Sequence, residues 1–217
     1  YYRKFNRSIT ETFLENPIDL PIITMATDTL RLLPGTPDCD QDTKAFLRIN
    51  DYGIGMLRQN NLAAARRAFE QVVDINPEYA DGFVNLARIL IKEGKFTAAE
   101  RALDKAIQIK NGLPKAYYFR SLIRKKQGNY KEAVKLFETV RLKFPNDRIL
   151  LKELGQTYYF LEQFDLALTM FHNALLIDPE DTQAHYNLML IHKKIGNQVK
   201  ARDHQNYYLK YKPDEAA

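Results

Sequence analysis

A single spacing governs this sequence. Ala65, Ala99, Ala133, Ala167 and Ala201 succeed one another every 34 residues, with no insertion between them. Other columns keep the same register. A large side chain follows four residues after the alanine in Phe69, Leu103, Phe137 and Phe171, and a proline recurs as Pro77, Pro145, Pro179 and Pro213, with Asn111 in that column once. Small residues return at Gly53, Ala87, Ser121 and Gly155, and again at Val72, Ala106, Val140 and Ala174. A period kept by several columns at once means one structural unit repeated in tandem, and that decides the architecture before any single element is assigned.

Five units fit, at 46–79, 80–113, 114–147, 148–181 and 182–215, leaving 45 residues in front and two behind. Within a unit the apolar residues recur at three and four, as in Phe83, Leu86, Ala87 and Leu90 and then Phe96, Ala99, Leu103 and Ala106. That is the period of two amphipathic helices. Turn residues lie between the halves, at Asn60-Asn61, Glu93-Gly94-Lys95, Gln127-Gly128-Asn129 and Ile195-Gly196-Asn197, so each pair folds back antiparallel. A helix of about 13 residues is marginal alone in water, so each pair needs its neighbours to bury its apolar stripe and the units must stack.

These columns of small, large and proline residues resemble the tetratricopeptide repeat (TPR) family. The resemblance implies an all-α fold, an α-solenoid in which helix-turn-helix pairs wind into a right-handed superhelix. The fifth unit departs from the pattern, with Met189, Gln205 and Tyr208 where small, aromatic and small residues are expected. Its last helix carries Arg202, Asp203, His204, Lys210 and Lys212, which reads as a terminal cap with a polar outer face.

Residues 1–45 do not continue the repeat. They hold five basic and seven acidic residues, against 27 and 20 in the remainder. The run Leu20 to Asp28 mixes β-branched residues between proline-containing turns and reads as an extended stretch or short strand, followed by a turn-rich joint at Leu33 to Asp38. Three roles fit: a cap packed on the first unit, a linker to an upstream domain, or a segment lying in the groove of its own or a neighbouring copy. The runs Arg3 to Arg7 and Asp19 to Ile22 resemble the joint of bacterial multihaem cytochromes with a TPR tail, but this chain contains no Cys-x-x-Cys-His haem site. Because it opens on Tyr1 in a polar stretch, the chain is expected to be cut from something longer, and its compartment is not legible.

No constellation for catalysis, metal or cofactor stands out. The lone Cys39 has no disulfide partner and sits among Asp38, Asp40 and Asp42, whose negative charge raises a thiol pKa. His172, His185, His192 and His204 lack the spacing of a zinc motif, and His185 and His192 occupy packing columns. Gly53-Ile54-Gly55 falls inside a helix and lacks the strand and third glycine of a phosphate-binding turn. The apolar runs are far too short for a bilayer span of about 20 residues. The expectation is a non-enzymatic chain with no cofactor.

The resemblance assigns the concave groove to the second, fifth, sixth, ninth, twelfth and thirteenth residues of each first helix. Read off here, that surface is cationic and aromatic together. The candidate groove residues are Asn85, Arg88, Lys92, Lys115, Tyr118, Lys152, Tyr159, Tyr186 and Asn187. The amides can pair with the backbone of an extended peptide, the Arg and Lys residues hold carboxylates, and the tyrosines fill apolar pockets. The expected partner is thus an acidic, partly hydrophobic segment of another protein.

The family's carboxylate clamp for chaperone C-terminal tails would fall on Asn50, Ile54, Asn85, Lys115 and Phe119, where only Asn85 and Lys115 match, so a chaperone tail is not expected. Two alternatives compete with peptide binding. One is a structural or self-assembly module within a larger protein. The other is a polyanion or nucleic acid, because residues 80–147 hold 15 basic against seven acidic residues while the whole chain is net +5. Many of those charges, such as Lys105, Lys131 and Lys135, belong to second helices on the convex side, where a solvated face explains them.

Overall fold

The computed structural model describes residues 41–212; the strand expected near Leu20, the joint at Leu33, Cys39 and Pro213 lie outside the described residues. Ten helices make up the described part, in five pairs. They are α1 (Gln41–Arg58), α2 (Leu62–Ile75), α3 (Ala80–Lys92), α4 (Phe96–Ile109), α5 (Pro114–Lys126), α6 (Tyr130–Arg141), α7 (Arg148–Phe160), α8 (Phe164–Ile177), α9 (Thr182–Lys194) and α10 (Gln198–Tyr211). The fold is an all-α solenoid. Helix α1 starts five residues ahead of Phe46, so the boundary expected at 45/46 falls within a helix.

Local chemistry sets the ends of these helices. Asn61, Asp147, Asp181 and Asn197 accept from backbone N–H groups of the first turns of α2, α7, α9 and α10, and Pro114 opens α5 where no N–H is needed. Each pair turns through one residue in the left-handed region. Gly94, Gly128 and Gly196 hold it at no steric cost, but Asn60 and Glu162 occupy the same place with φ of 59° and 57°.

Packing runs pair to pair. The two helices of each unit lie against each other, each second helix meets the first helix of the next unit, and first helices α3 and α5, and α7 and α9, also touch directly. The first helices therefore line the inside of the curve. The alanine column is wholly buried at Ala65, Ala99, Ala133 and Ala167 and nearly so at Ala201, and so are Phe69, Leu103, Phe137 and Phe171. Close approach depends on the small column ahead of them. A Cβ on Gly53 would stand 2.8 Å from the Phe69 ring, and one on Gly155 would stand 2.8 Å from the Phe171 ring. Ser121 holds its buried hydroxyl by donating to the carbonyl of Tyr117 at 2.7 Å. The last helix is different, for α10 fully buries only Ala201, and its outer face is not uniformly polar because Val199 and Leu209 are exposed.

Two substitutions test this account by thermal unfolding. Glu162→Gly relieves a left-handed glutamate and is expected to stabilise by about 1 kcal/mol, raising Tm by about 3 °C. Gly155→Ala forces its methyl into Phe171 and is expected to destabilise by about 1–3 kcal/mol.

Candidate functional site

The inner face holds one large concavity, of about 690 Å³, formed by α3, α5, the start of α7 and the loop before it. Its floor is apolar, with Val84 and Ile91 from α3, Tyr118, Phe119 and Leu122 from α5, and Ile149 from α7. Phe144, from the turn after α6, closes one wall and is half exposed. Around this floor stand Asn85, Arg88, Lys92, Lys115 and Lys126. Five of the nine expected groove residues are thereby brought together: Asn85, Arg88, Lys92, Lys115 and Tyr118. Lys152, Tyr159, Tyr186 and Asn187 do not line this cavity.

The cations of the groove divide into two kinds. Lys115 reaches Asp81 at 2.8 Å, Lys125 reaches Glu153 at 2.7 Å and Lys152 reaches Asp181 at 2.7 Å. Lys115–Asp81 and Lys125–Glu153 tie one unit to the next, across 34 and 28 residues of sequence. The Lys152 pair is the most sheltered, with Lys152 16% and Asp181 4% exposed at the side chain. Burial pushes the Asp181 carboxyl up, but the hydrogen bonds from Lys152 and the Ala184 N–H, with the charges of Lys152 and Arg148, outweigh it and hold the carboxyl below its usual value. By contrast Arg88, Lys92 and Lys126 have no ion-pair partner among the described residues and are exposed at the cavity rim.

The polar and aromatic candidates are similarly sorted. Asn85 donates through Nδ2 to Oδ1 of the buried Asn50 at 2.8 Å, joining units one and two, and keeps its own Oδ1 and a second N–H for other use. Asn187 instead turns its amide back to the Gln183 carbonyl of its own helix at 2.7 Å. Tyr118 runs from the cavity into the core, with its ring 5.3 Å from Phe119 and 5.8 Å from Phe137, and burial followed by the charges of Glu153 and Asp147 raises its hydroxyl pKa. Its hydroxyl therefore stays protonated. Tyr159 packs between Phe160 and Phe164, and Tyr186 stands 42% exposed beside Tyr208.

This geometry of stacked helix pairs agrees with the family comparison. The tetratricopeptide repeat profile matches residues 56–123 and 124–189, more than half of the chain. The chain belongs to the tetratricopeptide repeat family. It is 27% identical over 125 residues to the anaphase-promoting complex subunit cut9 of Schizosaccharomyces pombe, covering 58% of this chain and 19% of that protein. It is 33% identical over 116 residues to the CTR9 homolog of Arabidopsis thaliana, covering 52% of this chain and 11% of that one. The chain thus spans less than a fifth of the length of these relatives.

Among solved structures, MamA residues 41 to the end from Desulfovibrio magneticus RS-1 superposes with a TM-score of 0.67 at 19% identity, covering 79% of this chain and 97% of that one. YrrB, described as a TPR protein with an unusual peptide-binding site, gives a TM-score of 0.61 at 17% identity, covering 81% and 94%. At such identities the likeness is one of fold. TPR proteins of this kind are interaction scaffolds, and among the described residues no group of three or more His, Cys, Asp or Glu is arranged to hold a metal ion. No described helix is long and apolar enough to cross a membrane.

Sequence positions alone gave no means of separating paired from free lysines, and Phe144, in a turn outside the first-helix columns, carried no signal. The division predicts unequal effects on stability. Lys152→Met removes a partner from the buried Asp181 and is expected to cost about 1–3 kcal/mol in thermal or urea unfolding, with Arg148, 3.2 Å from Asp181, limiting the loss. Lys126→Met, at an exposed cation without a partner, is expected to stay within about 0.5 kcal/mol of wild type.

Proposed function

We propose that this chain is a non-enzymatic scaffold whose concave groove takes an extended segment of another protein, with an apolar side chain seated in the cavity and carboxylates beside it. The observation that carries this reading is the set of cations without an ion-pair partner among the described residues, Arg88, Lys92 and Lys126, around the apolar floor of Tyr118, Phe119, Leu122 and Ile149. Cations already satisfied within the protein hold the units in register. Those three have no such task and favour an incoming carboxylate. Apolar burial supplies affinity and Asn85 can fix the backbone of the segment, since its remaining acceptor and N–H match a peptide group.

A chaperone tail of the carboxylate-clamp type remains an unsuitable ligand for this groove. Only two of the five clamp positions match, and one of those, Lys115, is already engaged by Asp81. A polyanion is the second reading, favoured by the same free cations together with exposed Lys105, Lys131 and Lys135 on the outer helices. Lys152, Tyr159, Tyr186 and Asn187 would act, on either reading, as an extension of the groove beyond the main cavity.

The test is a titration of the purified chain with a labelled library of short peptides bearing one aromatic or aliphatic residue between Asp and Glu, and in parallel with a single-stranded oligonucleotide, from about 50 to 200 mM salt. Peptide binding that persists at the higher salt and falls about tenfold or more in Arg88→Glu with Lys126→Glu supports the groove. Peptide affinity indifferent to that variant would exclude this surface. Oligonucleotide binding that collapses with salt would favour the polyanion, and silence in both would favour a structural module.

A further inference from the structure

All four histidines of the chain meet in one place. His172 comes from α8, His185 and His192 from α9 and His204 from α10. His204 is the hub, its ring centroid 5.4 Å from His185, 5.6 Å from His192 and 6.0 Å from His172. The first two of these neighbours are deeply buried, His185 at 5% and His192 at 3% exposure.

The geometry fixes where protons can sit. His185 Nε2 lies 2.9 Å from the carbonyl of Pro179, which can only accept, so Nε2 carries the hydrogen and the neutral ring keeps its lone pair on Nδ1. That Nδ1 is 3.1 Å from Nδ1 of His204, which must therefore be the donor. A second proton on His185 would set two N–H groups against each other. His192 has both ring nitrogens buried with no hydrogen-bond partner, so a charge there would have nothing to solvate it.

The surroundings offer little compensation. From α10, Lys200 opposes charge on His172 and His192, while Asp203 favours it on His204 but is outweighed. Tyr207 and Tyr211 stack on His185. α8 contributes His172 itself. On the loop before α9, Asp178 and Asp181 are already held by Arg148 and Lys152, the latter two from α7.

We propose that this histidine cluster makes α10 an acid-released cap: its packed imidazoles hold the helix on α8 and α9, and acidification favours an opened last described unit in which His172, His192 and His204 can take up protons. Burial first, then the neighbouring rings, hold His204 down at about 4, and burial with the charge of Lys200 lowers His172 and His192. A histidine that titrates lower in the folded than in the open form contributes its full stability above about 6.5 and loses it as the pH falls toward the folded value. For His204 alone this is about a 30-fold shift of the opening equilibrium between pH 8 and pH 5. Against that shift α10 fully buries only Ala201, and the nearest-neighbour coupling of a solenoid confines the opening to the last described unit.

Hydrogen exchange of the full chain at pH 8 and pH 5, corrected for intrinsic rates and read by mass spectrometry, tests the proposal. Expected is a loss of protection of about tenfold or more across Gln198–Tyr211 that peptides from α3 to α7 do not share. An equal change along the chain, or none in α10, overturns it. In His192→Phe with His204→Phe the α10-specific loss should vanish, and its persistence would assign the effect elsewhere. Because that variant alters packing, NMR titration of the imidazoles in the wild type gives an independent reading. His192 and His204 are expected well below 6.5, and ordinary values for both overturn the proposal whatever the variant does.

Discussion

Everything in this solenoid depends on how closely the two helices of one unit approach. The eighth residue of each unit, on its first helix, is small so that the large side chain of the second can lie on its backbone, and at Gly53 and Gly155 a methyl would meet the rings of Phe69 and Phe171 at 2.8 Å. The second unit solves the same problem differently, with Ala87 in the small column and the narrower Leu103 opposite in the large one, both wholly buried. Volume is conserved across the contact while its division between the two sides changes. Once one face of the first helix is pinned in this way, the face turned away from the second helix has to line the inside of the curve.

That constraint makes the groove, but electrostatics decides how much of it is open to a ligand. A surface rich in Lys and Arg within a stack also lies within reach of carboxylates one unit away. Lys115, Lys125 and Lys152 are spent on Asp81, Glu153 and Asp181, and the sheltered pairs contribute more to the register of the units than to attraction of a partner. Net charge therefore overstates the available field. Of the cations without an ion-pair partner among the described residues, Arg88, Lys92 and Lys126 are the ones that coincide with the apolar floor.

Much of the architecture was legible because a repeat reports its geometry many times over. The 34-residue columns placed the openings of α3, α5, α7 and α9 at Ala80, Pro114, Arg148 and Thr182, and the turn residues between paired helices marked the left-handed positions at Gly94, Gly128 and Gly196. Glu162 in the same position carries no turn signal of its own, and its left-handed backbone is visible only in the structure. The site was less legible. Pairing depends on side-chain reach between residues 28 to 34 apart, and the sequence gives Lys115 and Lys126 the same chemistry although only the first is engaged. The histidines were likewise scattered over 33 residues of sequence, and only the antiparallel packing of α9 and α10 with α8 beside them gathers them around His204.

The last described unit obeys a different rule from those before it. An internal second helix is covered on both sides and can be held by Phe or Leu, as Phe69, Leu103, Phe137 and Phe171 are. Helix α10 has no following unit among the described residues, and a wholly apolar seam would leave hydrophobic surface in water. Flat rings with one polar edge meet both demands: Tyr207 and Tyr211 stack against His185, His204 packs tilted beside it, and Tyr208 lies 5.5 Å from Tyr186. This choice ties the hold of the last helix to the charge state of its imidazoles, which no internal unit shares. The main cavity lies on α3, α5 and the start of α7, two helices away from α9, so loosening α10 would alter the Tyr186 end of the groove and leave the free cations around Tyr118 in place.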